Sequence, residues 1–392
     1  MKKGWEVKRM GEVCEVQNGY AFSSKNYSDS GHYLMRIGNV QNGYISLANS
    51  KFVKLPTDGS LQRFVLAKGD ILVLLTGNVG RVGVIHDEHL PAVLNQRVAR
   101  ITIRKHALSI RGYLLFFLFS DLFREELAGT GHGAAQQNVS TKNIVEIPIP
   151  IPPLAEQRRL VALLDEAFAG IAQAKANTEK NLQNARALFE SELNAVFSQR
   201  GEGWVEKALG GIGKVSMCKR IFKEETTATG DIPFYKIGTF GREPDAFIPI
   251  HRYNEYRAKY SFPRKGDVLI SASGTIGRRV RYDGEPAYFQ DSNIVWIEND
   301  ERQVLNDYLY HFYGACDWNS TKGATISRLY NDNLRRIVIA FPESRQEQRR
   351  IVTHLDTLSA ETRRLAAVYE RKLGELEALK KSLLHQAFAG AL

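Results

Sequence analysis

The sequence predicts an α+β fold: two mixed α/β domains joined by a long antiparallel two-helix coiled coil, with an internal pseudo-twofold repeat. Three observations predict it. Motifs recur in the same order in the two halves of the chain. Short apolar runs alternate with Gly, Asn and Asp turns in the globular parts. Two long stretches carry apolar side chains at helical spacing.

The repeat comes first, because it decides how everything else is divided. Gly4-Trp5 near the start is answered by Gly203-Trp204. Lys68-Gly69-Asp70-Ile71-Leu72, followed by Thr76-Gly77-Asn78-Val79-Gly80-Arg81, is answered by Lys265-Gly266-Asp267-Val268-Leu269 and Ser273-Gly274-Thr275-Ile276-Gly277-Arg278. Glu156-Gln157-Arg158-Arg159-Leu160-Val161 is answered by Glu347-Gln348-Arg349-Arg350-Ile351-Val352. Four such matches in one order exclude coincidence. The offset drifts inside the globular parts and holds steady along the helices. The globular parts have therefore changed length, while the helices have not.

The elements then follow in chain order. Residues 1–153 form the first domain. Its runs at Val53 to Leu55, Ile71 to Leu75, Val82 to Ile85 and Val98 to Ile103 read as strands. Ile110 to Leu127 reads as one apolar helical stretch, whose Tyr113, Phe116, Phe117, Phe119 and Phe123 are assigned to the core. Ile144 to Pro153 is proline-rich and reads as extended. Residues 154–200 form a central helix, with Leu160, Leu164, Ala167, Ile171, Leu182, Ala185, Phe189, Leu193 and Val196 on one face. Residues 201–345 form the second domain. Residues 346–392 form a second helix, with an approximate heptad seam through Ile351, Leu355, Leu358, Thr362, Leu365, Tyr369, Leu376, Leu379 and Leu383. A helix of this length needs a partner for its stripe, and each is the other's natural partner. Gly170 is the one place where the first could fold back.

Composition narrows the function classes. The chain has 392 residues, 43% hydrophobic and 24% charged, the balance of a globular protein. Lys and Arg total 53 against 43 Asp and Glu, a net charge of +10 that suits a polyanionic partner. Three cysteines, Cys14, Cys218 and Cys316, stand far apart and support neither a disulfide framework nor a zinc ribbon. The longest apolar run, Tyr113 to Phe119, is too short to cross a bilayer, and no apolar signal segment follows Met1. A cytoplasmic protein is expected.

Catalytic signatures are missing. Gly210-Gly211-Ile212-Gly213-Lys214 lacks the spacing and the Ser or Thr of a phosphate loop. Gly129-Thr130-Gly131-His132-Gly133 follows a helix rather than a strand, unlike a dinucleotide loop. Glu6-Val7-Lys8 has no upstream Pro-Asp to complete a nuclease site. His86-Asp87-Glu88-His89 reads better as a solvated turn than as a metal site. No catalytic or metal-ligating residue is assigned, and a binding scaffold is expected.

Three pairs of loops carry the nucleic-acid signal. In the first domain they hold Tyr20, Phe22, Ser24 and Lys25, then Thr76, Asn78 and Arg81, then Gln136, Gln137 and Asn138. In the second they hold Lys219 and Arg220, then Ser273, Thr275 and Arg278, then Lys322, Thr325 and Arg328. Glycines admit close approach of a phosphate, Arg adds charge-assisted hydrogen bonds, and Gln, Asn and Arg can read adenine or guanine edges. A tight turn with no ligand is the alternative for each. The same loop architecture with different polar side chains implies two different half-sites. At the helix starts, Gln157, Arg158, Gln348 and Arg349 are candidates for a partner-subunit contact, with local ion pairing to Glu156 and Glu347 as the alternative.

These residues resemble a known family. The ordered double set is Gly-Trp, Lys-Gly-Asp-hydrophobic-Leu, a Ser/Thr-Gly-x-hydrophobic-Gly loop, and a proline-ended strand running into Glu-Gln-Arg-Arg-hydrophobic-Val. It is similar to the specificity subunit of type I restriction–modification systems, over essentially the whole chain. The resemblance implies two target-recognition domains, each reading one half of a bipartite asymmetric site on double-stranded DNA, with helices as the ruler. It implies two methyltransferase subunits and two motor–nuclease subunits as partners. S-adenosylmethionine, ATP and magnesium would belong to those partners, and no cofactor to this chain. One departure is visible: Ile147-Pro148-Ile149-Pro150-Ile151-Pro152-Pro153 in the first copy stands as Ile337-Val338-Ile339-Ala340-Phe341-Pro342 in the second. A specificity chain of another multi-subunit methylation system, a solitary DNA-modifying enzyme and a coiled-coil adaptor remain the competing classes.

Overall fold

The computed structural model describes residues 4–130, 138–199, 201–318, 321–322 and 327–392. It divides into two compact units, Met1–Thr178 with Arg371–Leu392, and Glu179–Glu370. Two helices of 45 residues each, Leu154–Ser198 and Arg345–Ala389, contribute one part to each unit. Gly170 does not interrupt the first of them.

The first unit is built on a four-stranded antiparallel sheet. Its order is Cys14–Asn18, Val98–Ile103, Ile71–Leu74, Val82–Val84. Strand residues alternate between faces, and here both faces are apolar. Ile71 and Val73 face a core completed by helix Arg111–Phe119, helix Asp121–Gly129 and the long helices. Leu72 and Leu74 face a second core beneath a five-stranded sheet. That sheet contains one parallel pair, His32–Met35 with Ala92–Leu94. The strand Glu6–Arg9 pairs antiparallel with Pro148–Ile151, just before the first long helix.

The second unit repeats this plan. Its four-stranded sheet runs Lys214–Ser216, Ile294–Glu298, Val268–Ser271, Arg279–Arg281. Trp204–Ala208 pairs with Val338–Pro342 before the second long helix. The smaller sheet is cut to three strands, again with one parallel pair, Ile232–Tyr235 with Tyr288–Phe289. Helix Ile250–Lys259 belongs to this unit alone among the described residues. The repeat offset shifts in the smaller sheets and, by its largest step, between the equivalent pairs Phe117/Phe312 and Asn138/Arg328, a span that holds helix Asp121–Gly129 in the first unit.

Each unit anchors the last turns of one long helix with an aromatic side chain. In the first, the Phe388 ring lies 5.2 Å from Tyr113 and 5.4 Å from Phe117, edge-on to both. In the second, Phe197 lies 5.2 Å from Tyr308 and 5.7 Å from Phe312 in the same way. Tyr113 and Tyr308 each donate a hydroxyl hydrogen bond to the strand before a long helix, to Pro150 and Ala340 carbonyls at 2.7 and 3.1 Å. Burying such a ring stabilises each unit by roughly 1.5–3 kcal/mol.

Within each unit the two long helices run antiparallel. Lys380 stands over the Phe168 ring and Arg159 donates to the Leu392 carbonyl in the first. Arg186 pairs with Glu370, and His354 with Glu192, in the second. Thr178 and Thr362 are buried in the seam, each hydroxyl satisfied by the carbonyl four residues back.

Three sequence expectations are corrected. Ile110 to Leu127 is two helices, because Ser120 donates to the Phe117 carbonyl and accepts from the Phe123 amide. Ile144, Val145 and Glu146 are helical, in a turn of helix Thr141–Glu146 capped by Ser140, and only Pro148–Ile151 is extended. Leu365 and Leu379 are exposed rather than in the seam, because a strict seven-residue repeat drifts around a helix of 3.6 residues per turn.

Candidate nucleic-acid interface

The glycine loops are tight turns at one end of each four-stranded sheet. Gly77 and Gly80 have φ of 77° each, and Gly274 and Gly277 have 64° and 82°, in the left-handed region that favours glycine. In both copies the loop closes the same way. The Gly80 amide donates to Leu74 and the Gly277 amide to Ser271, at 3.0 Å each. At the loop's end, Arg81 donates to Gln41 Oε1 at 2.9 Å and Arg278 to the Phe240 carbonyl at 3.0 Å. Both arginines are half-buried. They tie the loop to Gln41 and Phe240, just beyond the turns Arg36–Asn39 and Lys236–Thr239 that follow the first strand of the smaller sheet's parallel pair. Their first role is therefore to brace the loop. Arg81 also adds to burial in holding the Arg124 guanidinium below its ordinary range, so two cations lie close together there.

The second and third loop pairs meet. Thr76 forms a β-bridge with Asn138, and Ser273 forms one with Arg328. The same backbone bond reinforces each bridge: Val139 donates to the Leu75 carbonyl and Leu329 to that of Ala272. Thr76 and Ser273 are buried, while Asn78, Asn138, Thr275 and Arg328 are exposed. Gln136, Gln137 and Thr325, with Gly131, His132 and Gly133, lie outside the described residues. The backbone of Lys322 pairs with Ser327 in a short hairpin.

A polar turn joins the first loop pair to this edge. It is Asn95-Gln96-Arg97 in the first unit and Gln290-Asp291-Ser292-Asn293 in the second. Tyr20 bridges Asn95, and the Arg97 carbonyl accepts from Leu75 at 3.1 Å. Arg220 Nε lies 2.9 Å from Asp291, and the Asn293 carbonyl accepts from Ala272 at 2.7 Å. Ser273 Oγ donates to Asn293 Oδ1. Tyr20 is exposed and edge-on to half-buried Phe22. Ser24 and Lys25 are exposed on a one-turn helix capped by Ser23. Lys219 is exposed, with its ammonium over Tyr260. Sequence reasoning missed the polar turn. Its signal was present: a short polar run between two apolar strands, at matching places in both copies.

The helix starts are corrected. Gln157 and Gln348 are buried and face inward. Gln157 Nε2 donates to the Pro152 carbonyl at 2.7 Å. Gln348 Nε2 donates to the Gln303 and Pro342 carbonyls, and its Oε1 accepts from the Leu305 amide. Each amide fastens the incoming chain to its own helix, so neither is available to a partner. Arg159 and Arg350 pair with Glu156 and Glu347 three residues back, as local ion pairing predicts. Arg158 and Arg349 are exposed.

Burial pushes the Cys14, Cys218 and Cys316 thiols up to about 12. His89 is buried, with Nδ1 accepting from the His86 amide, so this histidine closes its own turn. No group of three metal-ligating side chains occurs among the described residues. No helix among them is long and apolar enough to cross a membrane.

Two sheet units of one design, each exposing a polar edge and sharing a pair of long helices, define a tandem recognition scaffold. The chain belongs to the family described as the type I restriction modification DNA specificity domain, which matches residues 2–183 and 201–370. A Haemophilus influenzae protein named as a putative type I restriction enzyme specificity subunit is 46% identical over 237 residues. That match covers 57% of this chain and 59% of the relative, so the chain spans less than two thirds of it. The StySPI specificity subunit of Salmonella potsdam is 22% identical over 100% of this chain and 90% of its own length. Among solved structures, the HsdS subunit from Thermoanaerobacter tengcongensis shares the fold at TM-score 0.62 and 20% identity, covering 100% of this chain and 98% of that one. A chain from a structure of type I R-M complex assembly and conformational transition does so at TM-score 0.77 and 20% identity, covering 100% and 99%.

Proposed function

We propose that this chain is the specificity subunit of a type I restriction–modification complex, acting without catalysis of its own in the cytoplasm. Each specificity domain reads one half of a bipartite asymmetric site on double-stranded DNA. The helix pair sets the spacer between halves. The observation that carries this reading is the repeated sheet edge: one backbone frame, two sets of polar side chains. Tyr20, Lys25, Asn78, Asn138, Lys219, Arg220, Thr275 and Arg328 are exposed on the segments that would face DNA. Lys25, Lys219 and Arg220 would take phosphates and make affinity fall with salt, while Arg328, the amides and the hydroxyls would add discrimination. Arg81 and Arg278 support the reading by holding the loops in shape.

Two methyltransferase subunits and two motor–nuclease subunits complete the proposed complex. Arg158 and Arg349 are offered as contacts to them. S-adenosylmethionine, ATP and Mg²⁺ serve those subunits. The test is methyl transfer to duplex DNA by the purified chain, alone and reconstituted with its methyltransferase subunits. Transfer is expected only in the reconstituted complex. Transfer by the chain alone would make it a stand-alone enzyme and contradict the reading.

A further inference from the structure

The turn between Ala92–Leu94 and Val98–Ile103 in the first unit, and between Tyr288–Phe289 and Ile294–Glu298 in the second, is framed identically, yet its contents differ. In the first unit the Asn95 amide donates to the Met35 carbonyl, the Val98 amide to Asn95, and the Leu75 amide to Arg97. In the second, Gln290 donates to Tyr235, Ile294 to Gln290, and Ala272 to Asn293. Three bonds fix the same three points of the turn in each unit. Between Asn95 and Val98 stand Gln96 and Arg97, whereas between Gln290 and Ile294 stand Asp291, Ser292 and Asn293. The second turn is one residue longer, and Ser292 absorbs the extra residue at a φ of 59°. Few non-glycine residues adopt that conformation, and it persists only where the surroundings hold it.

The side chains on these turns are placed for contact. Gln96 and Arg97 are exposed, although both neighbouring strands are buried. In the second unit, Ser292, Arg328 and Tyr330 line a cavity of about 350 Å³, beside the bridge that joins Ser273 to Arg328. Tyr330 is 55% exposed at its rim. Closure alone requires neither the solvated arginine of one copy nor the left-handed serine of the other. The variable part is held by a constant frame, as a reader of different sequences requires.

We infer that these two turns, the second together with the neighbouring Arg328, are the principal base-reading elements: Gln96 and Arg97 for one half-site, Ser292 and Arg328 for the other. The inference rests on the DNA-reading function proposed above. Gln96 presents the two-bond geometry for adenine, and Arg97 and Arg328 present that for guanine O6 and N7. Ser292 can donate to or accept from either edge.

The test maps methylated bases in a host that carries the chain with its methyltransferase subunits. The wild type and the variants Gln96→Ala, Arg97→Ala and Arg328→Ala are compared. If the wild type directs no methylation, the proposed function fails, not this assignment. With a wild-type motif in hand, Gln96→Ala or Arg97→Ala should relax one position in one half-site, and Arg328→Ala one position in the other. Discrimination at that position should fall about ten- to a hundredfold. An unchanged motif in all three variants would overturn the inference. Where a variant methylates nothing, its purified complex is titrated with the wild-type duplex and with random duplex. Retained random binding with a collapsed specificity ratio supports the inference, and equal loss of both overturns it.

Discussion

Gly277 shows how tightly single residues are fixed at the sheet edge. Its φ is 82°, and a Cβ there would meet Trp318 Nε1 at 2.2 Å. Gly277→Ala should destabilise the second unit by about 1–3 kcal/mol, lowering its melting temperature, whereas Gly211→Ala, with nothing within 4 Å, should not. Calorimetry of the two variants checks this. His311 makes a pH prediction. Burial depresses its imidazole below the ordinary value of 6.5, against the opposing pull of the hydrogen bond to Asp356. The unfolded chain therefore binds more protons just below that value, so this contribution to stability is present above pH 6.5 and is lost as pH falls through the folded value. His311→Gln should show a shallower loss of stability from about pH 7 to pH 5, read from urea midpoints. Equal slopes would remove His311 from the account. At this scale the sequence was legible where backbone geometry dictates the residue, as in the paired glycines of the Thr76 and Ser273 loops. It was not legible where direction matters. Gln157 and Gln348 occupy a polar Glu-Gln-Arg-Arg motif, and only the fold turns the glutamine inward and leaves Arg158 and Arg349 outside.

At the scale of elements, the long helices are each held at their last turns by an aromatic anchor. Phe388→Ala removes a ring packed on Tyr113 and Phe117 and should cost about 3–5 kcal/mol in the first unit. The unfolding midpoint checks it, and a loss under about 1 kcal/mol would contradict the anchoring role. The helices were legible because their apolar stripe persists over many turns. The break at Ser120 was not, because the apolar pattern continues on both sides of a serine that serves both helices. The prolines of Ile147 to Pro153 concealed the short helix before them, whose cap, Ser140 with Asn143, is a local signal. If the helix pair is the ruler, one extra turn near Asn181, about four residues and roughly 6 Å, should lengthen the recognised spacer. An unchanged spacer would contradict that role.

For the whole molecule, the repeat explains the composition. A net charge of +10 is modest for a DNA-binding chain, in keeping with the proposal that partner subunits share the grip on DNA. Two domains of one design can diverge separately, and the difference is visible in their smaller sheets, five strands against three. The central claim is that each domain reads its own half of one site. Single-molecule mapping of modified bases, in a host with and without this chain but with its methyltransferase subunits present, tests it most directly. The expected result is a methylated motif of two different half-sites separated by a fixed unspecified spacer, lost when the chain is absent. A single uninterrupted or symmetric motif that depends on this chain, or a methylation pattern indifferent to it, would contradict the account.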